Sequence, residues 1–401
     1  MIVHLDMLQT VALACISFLL GTALKKKSRL LQKYFIPSPV IGGLIFSLFF
    51  YGLTFQDIRI VPNGTIQDFF MNLFFTATGF FVSLKVLKQG GKVALGLAVA
   101  LVLMIIIQNF IGIALASLFG LPAILGLAMG SVSLSGGLGS AAAYGPVMES
   151  LGAYSATAVG LGMATLGLVL GSLAGGPVAF KLIKRYNLSS SGEDTQAQNQ
   201  QQILLNNDKI FNAIITIALA GGLGSIISYF VNLIPDFTLP YYISCLFSGA
   251  LIRNLADGRQ KDLGLANIDA VRFISLNIFL ALALATLNIG QIINLALPML
   301  VIMLVQVIIM MFFAYLVTFR LCGRNYEAAV IAAGHCGVGI GQTPNAIANM
   351  ASVIEKKGPA PQAWLVLPVV IAVVIPLFNN LIITLFINHN LISAFFINLF
   401  R

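Results

Sequence analysis

The sequence is dominated by apolar segments that are each long enough to cross the roughly 30 Å hydrocarbon core of a membrane. These segments are apolar throughout and not at alternate positions, which excludes a porin-type barrel. Only 9% of the 401 residues are charged, too few for a water-soluble domain. The chain is therefore predicted to be an all-α integral membrane protein. Its predicted apolar segments are 7–24, 36–54, 69–86, 93–119, 123–147, 154–180, 210–233, 240–256, 271–289, 292–318, 326–350 and 363–387.

The net charge of +9 does not indicate a nucleic-acid partner. The basic residues form short clusters at the ends of the apolar segments, which is the pattern of topology signals. The four cysteines lie far apart in the sequence, so they predict neither a disulfide framework nor a metal site. No basic n-region precedes the first apolar segment, and we expect that segment to be a retained span rather than a signal peptide.

The lysines and arginines predict that the N terminus is outside the cell. A basic cluster at residues 25–33 follows the first segment and therefore lies in the cytoplasm. If segment 123–147 crossed the membrane, Lys181, Lys184 and Arg185 would be outside, against the positive-inside rule. If the segment instead enters and leaves on one side, these three residues are cytoplasmic. Segment 123–147 is therefore predicted to be a re-entrant hairpin.

The second half of the chain gives the same result independently. Arg320 and Arg324 precede segment 326–350, and Lys356 and Lys357 follow it, so both ends are predicted to be cytoplasmic. Ten crossings and two re-entrant hairpins place every Lys and Arg inside except Arg59 and Arg401, with both termini outside. Glycine-rich backbone is tolerated at these hairpin tips because protein or a water-filled cavity surrounds it.

A polar run at residues 183–209 is predicted to be a flexible cytoplasmic linker. It separates an N-terminal repeat at 1–182 from a C-terminal repeat at 210–401. Each repeat has five crossings and one hairpin, and an odd number of crossings inverts the second repeat. Gln108 and Gln306 occupy equivalent helices before the hairpins, which supports the repeat. Inverted repeats with interrupted segments at corresponding positions are typical of secondary transporters, which bind substrate and ion near the membrane midplane.

The hairpin tips are the predicted substrate site. A broken helix exposes backbone N–H groups that suit a carboxylate and carbonyl groups that suit Na⁺, and glycine lets a ligand approach the backbone. The alternative is that such small residues serve only close helix packing. The predicted substrate-binding residues are Ser133, Ser135, Gly136, Gly137, Gly139 and Ser140 at the first tip and Gly337, Gly339, Gly341, Gln342, Thr343, Asn345 and Asn349 at the second.

Polar residues in other spans are candidate Na⁺ ligands. Thr76 and Thr78 lie in the third segment of the first half, and Ser275 and Asn277 lie in the third segment of the second. Asn379 lies in the last span. The alternative for the threonines is a hydrogen bond to their own helix.

One histidine and two glutamates near the hairpins are not predicted to bind substrate or Na⁺. His335 is predicted to be a packed, hydrogen-bonded side chain rather than a proton relay, and no Ser–His arrangement indicates an enzyme. Glu149 and Glu327 lie near the bases of the hairpins, and we expect them at the membrane interface or beside an ammonium group. The absence of Arg or Lys at mid-span means that amides, hydroxyls and helix ends would have to hold an anion.

The strings "SLSGGLGS" and "GHCGVGIGQTPNAIANM", together with "IPSPVIGGL" and "NYEAAVIAAGHCG", resemble the bacterial sodium–glutamate symporter family. The resemblance extends along the whole chain. Two positions depart from the family pattern: Leu138 stands where the first hairpin often has histidine, and Pro376 stands where the last span often has an acidic residue. These departures bear on substrate preference and ion stoichiometry.

The resemblance implies Na⁺-driven symport of L-glutamate across the bacterial inner membrane by a multi-pass homodimer that needs no cofactor beyond the coupling ion. It also implies that a transport domain carrying the hairpins moves against a scaffold. Two alternatives remain open from the residues. One is import of another anion, such as aspartate or a citrate-type 2-hydroxycarboxylate. The other is a passive channel, because opposed hairpins also build pores.

Overall fold

The computed structural model describes residues 1–34, 36–190, 207–234, 239–287 and 295–388. Most of the predicted linker and the predicted external C terminus lie outside these residues. Apart from one short parallel strand pair, β1 and β2, the regular structure described is helical. The elements are β1 Ile2–His4, α1 Met7–Lys27, α2 Arg29–Lys33, α3 Ser38–Thr54, β2 Arg59–Val61, α4 Gly64–Gly79, α5 Leu84–Gln89, α6 Gly91–Leu118, α7 Ala123–Ala128, α8 Gly137–Ser150, α9 Ala156–Tyr186, α10 Asn207–Val231, α11 Tyr241–Gly258, α12 Leu265–Ala285, α13 Ala296–Phe313, the π-helix π1 Ala314–Thr318, α14 Phe319–Leu321, α15 Tyr326–Ile340, α16 Thr343–Lys357, α17 Pro361–Val374, the π-helix π2 Ile375–Asn379 and α18 Asn380–Asn388.

Helices occupy all twelve predicted apolar segments, and the two glycine-rich segments each contain two helices instead of one. Segment 123–147 contains α7 and most of α8, and segment 326–350 contains α15 and half of α16. Glycine weakens a helix interior by up to about 1 kcal/mol relative to alanine, so a cluster of glycines favours a break. Each break therefore lies within a segment in which the sequence predicts irregular backbone.

Seven helices of the described residues are long and apolar enough to cross a membrane, which makes the chain a multi-pass membrane protein. They are α1, α6, α9, α10, α12, the continuous helix Ala296–Leu321 and the continuous helix Pro361–Asn388. The other three predicted crossings correspond to α3, α4 and α11, with 17, 16 and 18 residues. At 1.5 Å per residue these helices are about 24 to 27 Å long, slightly less than the typical hydrocarbon thickness.

The chain divides into two compact units, and each unit takes segments from both halves of the sequence. Unit 1 comprises Met1–Phe81, Ala142–Leu161 and Leu204–Ala296, and unit 2 comprises Val82–Ala141, Gly162–Ile203 and Leu297–Arg401. The predicted repeats are therefore not the compact units of the fold. Pairing between distant segments of sequence decides which helices pack together.

Unit 1 is held together by glycines that let helix backbones approach closely. In α3, a Cβ placed on Gly42 would lie 1.7 Å from the carbonyl oxygen of Ser17 in α1. In α11, a Cβ placed on Gly249 would lie 2.4 Å from the carbonyl oxygen of Thr76 in α4. Such contacts are typical of helix packing in membranes. The hydrophobic effect does not drive helix association there, and small residues allow the close van der Waals packing that does.

In unit 1, helices at the same place in the two halves of the sequence make the same contacts, with α1, α3 and α4 matching α10, α11 and α12. Helix α3 packs on α1 and α12, and α11 packs on α10 and α4. The α1–α12 contact is made by Leu13, Ala14, Ala281 and Leu282. The α4–α10–α12 contact is a second apolar cluster, formed by Ala77, Phe80, Ala213, Ile217, Ala220 and Ile268.

Candidate functional site

The second glycine-rich segment is a pair of antiparallel helices joined by a two-residue turn in unit 2. Helix α15 begins after the cap residue Asn325, whose Oδ1 accepts from the backbone N–H of Ala328 at 2.9 Å, and it ends at Ile340 with Gly341 as its C-cap. Asn349 Nδ2 of α16 donates back to the carbonyl of Ala333 at 3.3 Å. The C-terminal end of α15 and the N-terminal end of α16 therefore lie together at the turn, which we call the second tip, residues 337–345.

The first glycine-rich segment breaks over a longer stretch. Helix α7 ends at Ala128, and residues 129–136 form irregular turns before α8 begins. The backbone N–H of Gly136 donates to Ser131 O at 2.8 Å, and the N–H of Gly137 donates to Ser133 O at 3.0 Å. Gly137 has φ of +67°, a conformation that glycine adopts without steric cost. We call residues 129–140 the first tip.

One buried amide side chain contacts both tips. Gln108 of α6 accepts from Ser135 Oγ at 2.6 Å in the first tip, and its Nε2 donates to the carbonyl of Gly339 in the second. A Cβ placed on Gly137 would lie 2.9 Å from Gln342 Nε2, so the two tips also approach each other directly. The residues predicted to share a substrate site are thus close together.

The predicted substrate-binding residues all lie in the two tips or in the first turns of the helix that follows. In the structure they are distributed as follows: Ser133, Ser135 and Gly136 in the irregular turns, Gly137, Gly139 and Ser140 at the start of α8, Gly337 and Gly339 at the end of α15, Gly341 and Gln342 at the turn, and Thr343, Asn345 and Asn349 in α16.

Asn345 and Asn349 use their side chains to attach the second tip to α9. Asn345 Nδ2 donates to Leu168 O at 2.7 Å and to Ser172 Oγ at 2.6 Å, and its Oδ1 accepts from the backbone N–H of Gln342 at 3.1 Å. Asn349 Nδ2 donates to Gly171 O at 2.8 Å. These bonds orient the tip and engage both asparagine side chains, whereas Thr343 is exposed.

Glycines on α9 allow this attachment. They follow a four-residue spacing, so they form one stripe along the helix. A Cβ placed on Gly167 would lie 2.1 Å from Ile340 O, and one on Gly175 would lie 2.4 Å from Ala333 O. A Cβ on Gly171, between them, would lie 3.1 Å from both Gly337 O and Gly341 N.

The predicted Na⁺ ligand Asn379 lies at the first tip. It ends π2, and its Nδ2 donates to Ser131 O at 3.3 Å. Gln306 of α13 approaches the same turn, with Nε2 donating to Gln108 O at 2.8 Å and to Met129 O at 3.5 Å. π-Helical turns inside α-helices often occur at functional sites.

Several buried polar atoms at the first tip have no hydrogen-bond partner among the described residues. They are the oxygen atoms Ser131 Oγ, Gln306 Oε1 and Asn379 Oδ1, and the nitrogen atom Asn109 Nδ2. The four residues are at most 1% exposed. An unpaired buried polar atom costs about 1–3 kcal/mol, so such a cluster suits a bound water, ion or polar ligand. Three neutral oxygens are the ligand type that a hard cation such as Na⁺ prefers.

The other predicted Na⁺ ligands lie in unit 1. Thr76 Oγ1 donates to Asn72 O and Thr78 Oγ1 to Phe74 O, each at 2.7 Å within α4. Asn277 Nδ2 donates to Phe273 O at 2.7 Å within α12, where Ser275 is buried. The structure therefore places Asn379 at the first tip. The other four predicted ligands lie in unit 1, which does not contain the tips: Thr76, Thr78, Ser275 and Asn277. The threonines make the helix bonds that the sequence offered as the alternative.

Residues with no predicted ligand role are engaged in packing or capping. His335 Nδ1 is 2.8 Å from Thr318 Oγ1 of π1, and its ring lies nearly perpendicular to the ring of Phe313 with 6.0 Å between the ring centres. Glu149 accepts from the backbone N–H of Thr157 at 2.9 Å, and Glu327 accepts from that of Ala363 at 2.7 Å. Each carboxylate therefore lies at the first turn of a following helix, where negative charge is favoured.

Four residues of this site are not assigned by the sequence: Gln108, Asn109, Ser131 and Gln306. Gln108 and Gln306 served only as evidence for the repeat, although an amide in an otherwise apolar membrane helix indicates a side chain that faces the protein interior. Asn109 follows Gln108 directly, and its Oδ1 accepts from the backbone N–H of Ser131 at 2.9 Å. The run "IIIQNF" at residues 105–110 therefore indicates that Gln108 and Asn109 face the protein interior.

The chain is similar to known proteins over nearly its whole length. A sequence model of the sodium/glutamate symporter family matches residues 3–359. A sodium/glutamate symporter of Escherichia coli is 38% identical over 96% of this chain and 98% of its own length. One from Haemophilus influenzae is 34% identical over 92% of this chain and 94% of its own. A solved sodium–proton antiporter from Methanocaldococcus jannaschii covers 95% of this chain and 96% of its own, at 14% identity and a TM-score of 0.45.

Proposed function

The chain belongs to the sodium/glutamate symporter family, and from that premise we propose how it moves its substrates. It is a Na⁺-coupled glutamate symporter and not an enzyme. In our proposal the two tips belong to re-entrant hairpins, hold L-glutamate and Na⁺ near the membrane midplane, and carry both across the inner membrane by alternating access. The observation that carries the proposal is the buried contact of Gln108 with both tips.

The substrate carboxylates are assigned to backbone N–H groups and hydroxyls. Helices α8 and α16 both begin at the tips, and the N-terminal end of a helix carries a partial positive charge. Among the described residues of the two tips there is no Lys or Arg. Anion binding by helix ends and the Thr343 hydroxyl is therefore favoured over binding by a charged side chain.

The sodium ion is assigned to the first tip. Ser131 Oγ, Gln306 Oε1 and Asn379 Oδ1 are buried neutral oxygens without partners among the described residues, and Na⁺ can use them without any change in protonation. The end of α15 adds backbone carbonyls that carry a partial negative charge. Of the Na⁺ ligands predicted from the sequence, this proposal keeps Asn379.

Binding of the two ligands is coupled through electrostatics. A cation and an anion in the same water-poor site attract each other far more strongly than in water. Each therefore raises the affinity for the other by the same factor, and couplings of about 1–3 kcal/mol correspond to factors of about 5 to 150. We assign unit 2 as the transport domain because it contains both tips, and unit 1 as the scaffold. The homodimer and inner-membrane location that the family resemblance implies complete the proposal.

Uptake by proteoliposomes tests the coupling. With Na⁺ outside and K⁺ inside, radiolabelled L-glutamate should accumulate above its external concentration, and with K⁺ on both sides it should only equilibrate slowly. A tenfold Na⁺ gradient supplies about 1.4 kcal/mol per ion, which supports about tenfold accumulation at one Na⁺ per glutamate. Unlabelled aspartate and citrate added in excess measure selectivity. Equilibration without accumulation would indicate a channel. Stronger inhibition of uptake by citrate than by unlabelled glutamate would indicate that citrate, and not glutamate, is the preferred substrate.

Cysteine accessibility tests the re-entrant hairpins. In a Cys15→Ser background, Arg320→Cys and Lys357→Cys place a thiol before and after the second hairpin. We expect a membrane-impermeant maleimide to label both only from the cytoplasmic side. Phe119→Cys and Leu151→Cys around the first hairpin should both be labelled from outside. Labelling of one pair from opposite sides would show that the segment crosses the membrane.

A further inference from the structure

A groove of about 550 Å³ lies on unit 2 between α9 and the continuous helix of α13 and π1. On the α13–π1 side its wall is formed by Ile308, Phe312 and Leu316, which follow a four-residue spacing and are 53%, 63% and 41% exposed. On the α9 side it is formed by Pro177, Val178 and the two cations described next. The groove is therefore an exposed, mainly apolar surface between two membrane helices.

Two cations lie at one end of this groove. Arg185 Nη1 donates to the hydroxyl of Tyr315 at 3.0 Å, and Lys181 Nζ lies 5.7 Å from the centre of the same ring. Both side chains are exposed. Among the described residues, carboxylate ion pairs form only at Arg253 and Arg272, so neither groove cation has an acidic partner there. The aromatic ring and hydroxyl orient the two positive charges without neutralising them.

We propose that this groove binds one anionic phospholipid. The acyl chain lies along Ile308, Phe312 and Leu316, because an apolar groove on a membrane-spanning unit faces hydrocarbon. The phosphate group lies between Lys181 and Arg185, and charge complementarity selects a headgroup with net negative charge over a zwitterionic one. Long basic side chains at helix ends reach the headgroup region while their aliphatic stems stay on apolar surface.

The lipid site is connected to the transport site through the helices that form it. Helix α9 carries Gly171 against the second tip, and α13 carries Gln306 against the first tip. A lipid that fills the groove between these helices therefore stabilises the helix pair that holds both tips. Positive charge at this end agrees with the predicted cytoplasmic side, so the lipid belongs to the inner leaflet.

Lipid titration of the purified full-length protein tests the proposal. Delipidated protein in detergent is titrated with phosphatidylglycerol or phosphatidylcholine, with bound lipid counted by native mass spectrometry and stability followed as Tm. We expect one tightly held phosphatidylglycerol that raises Tm. A basic side chain beside an anionic lipid contributes about a fivefold factor, so the double variant Lys181→Gln/Arg185→Gln should bind it about 25-fold more weakly.

The controls separate a lipid site from general charge and from a free-anion site. The double variant Lys88→Gln/Lys92→Gln removes two exposed cations elsewhere in unit 2 and should retain the lipid. Ile308→Trp fills the groove and should weaken lipid binding while leaving both cations in place. Equal retention in Lys181→Gln/Arg185→Gln, or the same rise in Tm with inorganic phosphate alone, would overturn the proposal.

Discussion

Replacing Gly337 with leucine is expected to abolish glutamate uptake. A Cβ at this position would lie 2.6 Å from both the backbone nitrogen of Ala346 and the carbonyl carbon of Asn345. No rotamer relieves a clash with backbone, so α15 and α16 must separate at the second tip. Overpacking costs about 1–3 kcal/mol, and the upper end corresponds to a loss of about 150-fold if the cost acts on the transport-competent tip. Initial uptake rates per reconstituted molecule measure the effect.

Gly222→Leu is the matched control for this substitution. Gly222 lies in the middle of α10, and a Cβ there would meet nothing within 4 Å. The same gain of side-chain volume should leave uptake within about twofold of wild type, because surface substitutions change stability by about 0.5 kcal/mol or less. Wild-type uptake by a membrane-inserted Gly337→Leu protein would contradict a role for the second tip.

The helical fold and its two interruptions were predictable because they depend on local chemistry. Apolar length predicts the helices, and the glycine-rich run predicts a break within the second segment. The break is at Gly341, whereas Gly334, Gly337 and Gly339 lie within α15. The first break is less regular than its sequence suggests. Gly139 and Ser140 lie within α8 although both have weak helix propensity, and the turns instead occupy residues 129–136.

The direction of the polar side chains was not predictable. Asn345 and Asn349 have the chemistry of substrate ligands, yet their Nδ2 groups donate to α9, which is about 175 residues earlier in the chain. Thr76 and Thr78 have the chemistry of Na⁺ ligands, yet they bond to their own helix. A sequence supplies the donors and acceptors, whereas the partner depends on which helices the glycine contacts bring together.

Gln108→Leu is expected to reduce uptake about a hundredfold. The substitution nearly conserves volume but removes the donor to Gly339 O and the acceptor of Ser135 Oγ, leaving two buried polar groups without these partners. Each such loss costs about 1–3 kcal/mol, and both tips lose their shared contact. Ser135→Ala removes only one of the two bonds and should cost less. If both variants act through the same contact, the double variant is no worse than Gln108→Leu.

The measurement that distinguishes tip positioning from general destabilisation is uptake per folded molecule. Folded protein is quantified by size-exclusion chromatography and Tm before reconstitution, and uptake is then compared at equal amounts. Gln32→Leu is the matched control, because Gln32 is exposed and water can replace its bonds to Lys25 O and Lys26 O. If the uptake of Gln108→Leu fell only in proportion to the folded fraction, Gln108 would support the fold alone, and the assignment of one shared site to both tips would lose its basis.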